Sequence, residues 1–140
     1  MWIAPLLVLA LAAQPLAAAA PNAPPAGVQP VGEITDPIWT AMPAARALMS
    51  AYPDAAQRYE KIGVAVVRCT AKADGALEAC QLVCEQPAGW GFGAAAVRLS
   101  YLYQLKPTLA DGRSVAGGTV TVPFHFNPRD FIPLARCDGR

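Results

Sequence analysis

The stretch Val64–Val83, VAVVRCTAKADGALEACQLV, decides the fold. Asp74-Gly75 between two apolar arms is a strong short-range hairpin signal, because these residue types accept the positive φ that a tight turn demands. The spacing predicts antiparallel strands over Val64–Ala71 and Ala76–Val83. Toward the N-terminus, Pro53 suits a first helical position, Asp54 complements the helix dipole and Gly63 stands where a helix would end. That predicts a helix over Pro53–Lys61, preceded by a weaker helical stretch over Ala44–Ser50. Toward the C-terminus, Phe92, Ala96, Leu99 and Tyr103 recur at helical spacing, predicting a helix over Phe92–Gln104 that Pro107 prevents from continuing. Past turn signals at Asp111-Gly112 and Gly117-Gly118, Thr119–Phe126 (TVTVPFHF) alternates Val120, Val122, Phe124 and Phe126 with Thr119, Thr121, Pro123 and His125, a half-buried strand. The fold class is therefore α+β, two helices packed on a small three-stranded antiparallel sheet. A helical crossover returns the third strand antiparallel to the first. It can pair beside either of the other two; Pro123 has no amide to donate to a second neighbour, so the third strand lies at an edge in both placements, and the order 2-1-3 is the one that makes every pair antiparallel.

The chain has 140 residues, yet its first charged side chain is Glu33. Residues Trp2–Leu16 form an apolar run followed by the Ala17–Ala20 tract, the pattern of a secretory signal peptide. Cleavage after Ala19 is expected and after Ala12 is a second option, while an uncleaved leader acting as an inner-membrane anchor is the alternative. Residues 20–50 read as a Pro/Ala-rich linker and N-terminal extension carrying Trp39, 51–127 as the folded domain and 128–140 as a C-terminal tail. One domain of roughly 110 residues leaves no room for a two-domain enzyme. With 11 basic and 10 acidic residues dispersed along the chain, no basic face for nucleic acid is expected.

Export places four cysteines in an oxidising compartment, which favours disulfides. A two-residue turn at Asp74-Gly75 sets Cys69 opposite Cys80; a bulge in the turn would shift that register by one. By alternation, Cys84 shares the face of Cys80, and the tail leaving the third strand starts near it, so a Cys84–Cys137 bridge is expected. A metal site from Cys69, Cys80, Cys84 and His125 is the sharper alternative, but the spacing falls on a strand and His125 has the parity of Thr119 and Thr121. No metal is expected. Gly89–Gly93 (GWGFG) lacks the Lys of a phosphate loop and the dinucleotide fingerprint, leaving a turn through which Trp90 and Phe92 cap the core. Ser50, Ser100 and Ser114 stand alone and no acidic pair converges, so neither catalysis nor a small-molecule substrate nor a cofactor is expected.

Taken together, YPDAA (52–56), IGVAVVRCTAKADGAL (62–77), GFGAAAVRLSYLYQLKP (91–107), DGR (111–113) and VAGGTVTVPFHF (115–126) resemble the C-terminal domain of the TonB energy-transducer family. The hairpin cysteines are similar to those of an alphaproteobacterial branch of that family. The resemblance implies a periplasmic module of TonB-dependent transport that grasps an extended segment of an outer-membrane receptor by strand addition at the third strand. An inner-membrane proton-driven complex is implied as a second partner if the chain is anchored. The edge of the third strand supplies the candidate contacts, Thr119, Val120, Thr121, Val122, Phe124 and His125, with Arg113 as an electrostatic contact. A monomer or weak dimer is expected. The rival reading is a structural envelope protein that self-associates through the same edge and has no transport role. The family's transducers carry a membrane anchor and a long spacer, whereas about thirty residues precede Tyr52 here after the leader and reach only about 100 Å extended. The binding function is carried over on this reading and the motor is not.

Overall fold

In the computed structural model, residues 31–127 and Cys137 are described; the expected signal peptide, the first part of the linker and the rest of the tail lie outside the described residues. The elements in chain order are β1 (Trp39–Ala41), α1 (Ala45–Ala51), α2 (Asp54–Arg58), β2 (Gly63–Ala71), β3 (Leu77–Gln86), α3 (Phe92–Ser100), β4 (Gln104–Leu105) and β5 (Thr119–Phe126). The main sheet is antiparallel with order β3-β2-β5. This is the expected arrangement of second, first and third strands. One face of it carries α3, whose small residues Gly93, Ala95 and Ala96 are buried against the strands.

The two neighbours of β2 pair with it differently. The β2–β5 ladder runs from Gly63↔Phe126 to Thr70↔Thr119 without a register shift, and strict alternation buries Val120, Val122, Phe124 and Phe126 while Pro123 and His125 stay exposed. The β2–β3 ladder shifts twice. Its turn spans three residues rather than the expected two: Lys72 and Ala76 close it, and Gly75 takes φ 87°. A side chain at Gly75 would also collide with the Leu105 carbonyl. The first shift, with Ala79 at φ 50°, returns Cys69 to a position facing Cys80, and the two are joined with an S–S distance of 2.05 Å. The second shift sets Val67 against Leu82 but Val66 against Cys84. Cys84 therefore lies on the face opposite Cys69 and Cys80, not on theirs as alternation predicts, because the extra residue reverses the parity of the strand. It is bonded to Cys137 on that face.

Both expected helices are shorter than their sequence pattern. α2 stops at Arg58 because Glu60 turns left-handed (φ 49°) and the Lys61 amide reaches back to the Ala56 carbonyl at 2.8 Å, closing the end before Gly63. α3 stops at Ser100 rather than Gln104, since Gln104–Leu105 is drawn out to pair with β1 and Leu105 is 1% exposed. The Ala45–Ala51 stretch is a helix in its own right, giving three helices among the described residues. Folded structure also begins earlier than residue 51: Ile34 is 5% exposed and belongs to the core.

An aromatic chain threads that core. Tyr52, Phe92 and Phe126 meet with centroids 5.1 to 5.8 Å apart, Phe124 follows Phe126, and Tyr103 links Phe124 to Trp39. The Tyr52 hydroxyl is bonded to the Lys61 carbonyl and lies 3.2 Å from that of Phe126, tying the end of α2 to the end of β5. Burial raises its pKa.

Candidate functional site

β5 ends the sheet order, so one side of its backbone has no neighbour in the main sheet. The direction of its groups is set at Thr119, whose carbonyl accepts from the Ile34 amide at 2.7 Å and whose amide donates to the Gly32 carbonyl at 2.8 Å. Alternation then turns the backbone groups of Thr121, Pro123 and His125 to the same outer side, and those of Val120, Val122, Phe124 and Phe126 toward β2. Pro123 occupies a position whose amide would face outward, so its missing N–H costs the β2 ladder nothing.

The edge is not wholly unpaired, as the three-strand order alone predicts. Residues 32–34 form a parallel bridge with Thr119, and Ile34 fills the space above Gly118, where an added Cβ would lie 2.8 Å from Ile34 Cδ1. The chain then bends at Thr35 and Asp36 and leaves the edge. Between that departing chain and β5 lies a groove of about 500 Å³ whose lining includes Ile34, Pro37, Trp39, Met42, Tyr103 and Thr121–Pro123. Short antiparallel pairing of β1 with β4 positions its floor: Trp39 opposes Leu105, and the Trp39 and Tyr103 rings meet edge-on at 4.8 Å. Desolvation by burial raises the pKa of Tyr103, one of the residues lining the groove. Met42, 63% exposed, stands at its rim.

The seven candidate contacts thus divide. Thr119, Thr121 and His125 carry outward backbone groups; Val120, Val122 and Phe124 are at most 2% exposed and serve as core. Arg113 sits apart, in a depression shared with Val31, Glu33 and Asp111, and the 31–36 segment separates it from the groove. Its Nε donates to Asp111 Oδ2 at 2.7 Å. Donation from the Arg113 amide and guanidinium holds the exposed Asp111 carboxyl below the usual carboxylate range. On the solvent face Glu33 pairs with Arg68 at 3.8 Å.

Sequence reasoning singled out Trp39 in the N-terminal extension but missed Ile34, Met42 and Tyr103 as groove residues. The available signal was Ile34 itself, a large aliphatic residue set between the charged Glu33 and Asp36 in a stretch with Pro and Gly. At the Gly-rich turn, the Glu85 carboxylate accepts from the Gly89 amide at 3.1 Å and from the Gly93 amide, so the N-terminus of α3 already holds an internal anion. Among the described residues no group of three or more His, Cys, Asp or Glu could hold a metal ion.

The family model for the C-terminal region of Gram-negative bacterial TonB proteins matches residues 49–128. This chain belongs to the TonB C-terminal family. A protein of Caulobacter vibrioides described only as uncharacterized is 36% identical over 69 residues, which cover 49% of this chain and 69% of that protein. A solved structure of the TonB2 protein from Vibrio anguillarum is similar over 84% of this chain and 100% of its own, with 18% identity and a TM-score of 0.39. Within the matched span of this TonB C-terminal domain lie the hairpin, α3 and the whole of β5, while the Gly32–Ile34 segment and β1 precede it.

Proposed function

We propose that this TonB C-terminal domain acts in the periplasm, binding an extended segment of an outer-membrane receptor by strand addition at β5 in TonB-dependent transport. The observation that carries the reading is the outward row at Thr121 and Pro123, regular in register and bordered by an open groove. Main-chain hydrogen bonds to an added strand supply affinity with little sequence selectivity. Thr121 offers a donor and an acceptor, and Pro123 an acceptor alone. Thr119, already bonded to residues 32–34, ends the footprint, which therefore starts at Thr121 and takes in Pro123. Self-association through the same edge is the rival outcome. Among the described residues no helix is long and apolar enough to cross a membrane.

The test is an NMR titration with a synthetic peptide copied from the N-terminal recognition segment of an outer-membrane receptor. Amide shifts from Thr121 to Asn127 are expected, with weak affinity. Shifts confined to Gly89–Gly93, or none at millimolar peptide, overturn the proposal. Concentration-dependent dimerisation that protects the same amides without peptide favours the self-associating reading instead.

A further inference from the structure

An added strand does not touch β5 with its backbone alone. Residues opposed across a sheet put their side chains on the same face. A residue docked opposite Thr121 or Pro123 would face solvent, on the side of Glu33 and Arg68. The residue docked opposite Val122 would face the other way, toward the helix side of the sheet, where the groove lies. The groove's walls there are Pro37, Trp39, Met42 and Tyr103, and among the described residues no charged side chain but Glu33 contributes to its lining. Glu33 bridges Thr119 and reaches Arg68, so its carboxylate belongs to the solvent face. The register is also constrained, because residues 32–34 hold the Thr119 rung and an incoming strand must start beyond it.

We infer that the groove is a side-chain pocket for the docked strand, taking one bulky apolar residue from the peptide position that pairs with Val122. Residues 32–34 act as the stop that sets which position this is. The inference rests on the strand-addition reading and adds selectivity to it. The occupant is an extended peptide in which a bulky apolar residue is flanked on both sides by polar ones. Cys137, the described residue of the tail, is bonded to Cys84 on β3, at the other edge of the sheet and on the solvent face.

A host–guest peptide series tests this. The probes are acetylated, amidated nine-residue peptides of alternating Thr and Ser with Leu, Ala, Asp or Lys at the centre, titrated into the oxidised protein by NMR. Leu is expected to bind about tenfold more tightly than Asp, the scale of a partly buried aliphatic side chain. Moving Leu by one position should remove most of that preference. Met42→Glu, at an exposed site outside the regular elements, should reverse the order so that Lys exceeds Leu. If all guests shift the Thr121–Asn127 amides with equal affinity, strand addition stands and the pocket is overturned. If no guest, and no receptor peptide, shifts them, strand addition itself fails. If Met42→Glu keeps the wild-type spectrum and the wild-type guest order, the groove is not where the side chain goes.

Discussion

The main sheet has two edges, and they are built in opposite ways. β5 is regular over its whole length: one register, strict alternation, and a proline whose missing amide falls on the outer side. β3 is broken twice, at Ala79 and near Val83, and leaves Leu82 and Val83 43% and 48% exposed. Each bulge re-aims the backbone, so a foreign strand meets no continuous row of donors and acceptors there. The difference teaches that exposure of apolar side chains is a poor guide to a docking edge. The apolar-looking edge is the irregular one, and the edge proposed to accept a strand hides its apolar residues in the core.

The largest expected effect comes from the side chains that make β5 regular. Phe124→Ala should cost about 3–5 kcal/mol in urea denaturation, since the ring is 2% exposed. Leu82→Ala on the opposite edge should cost about 1 kcal/mol or less, because much of that side chain is already in water. Equal losses would break the comparison. Next is the parity of backbone groups along β5. Val122→Pro removes an amide aimed at β2 and should cost about 3 kcal/mol or more, whereas Thr121→Pro removes an outward one and should leave stability within about 1 kcal/mol while abolishing peptide shifts.

The irregular edge depends instead on covalent constraint. Replacing Cys69 and Cys80 together with Ala should cost about 3 kcal/mol by the chain-entropy account, measured as the unfolding free energy extrapolated to water from urea denaturation. High pH distinguishes the edges in another way. Tyr52 packs on Phe126 and Tyr103 on Phe124, and burial raises both pKa values. An acid whose folded pKa is raised contributes fully below its unfolded value and loses that contribution as pH climbs through the folded one. Stability should thus fall above about pH 10, the ordinary tyrosine value. Replacing Tyr103 with Phe should weaken the fall. The smallest effect is a gain: Ala79→Gly should stabilise by about 0.5–1 kcal/mol, since glycine accepts the left-handed φ that the bulge imposes.

Most of the sheet was legible because its signals are local. TVTVPFHF declares a strand with one buried face, and Asp74-Gly75 declares a hairpin, since alternation and turn conformation are decided within a few residues. The register near Cys69 and Cys80 was legible only in its net result. The turn is one residue longer than expected and the bulge at Ala79 compensates, so the two cysteines meet although neither step could be read separately. The face of Cys84 was not legible, because a bulge reverses parity and nothing in QLVCEQ announces one.

By itself, then, the sequence determined the α+β class, the strand order and the placement of Pro123 at an edge, because periodicity, turn chemistry and a missing amide act locally or as plain constraints. Tertiary structure alone decided where α3 ends, which part of the β5 edge is already taken, and what lines the groove beside it. Those features join Ile34 and Trp39 to residues near Tyr103 and Thr119, far along the chain. Their reason is burial: Ile34 finds its site only where Gly118 leaves room, and Gln104–Leu105 leaves the helix only because β1 and the hairpin turn offer it partners.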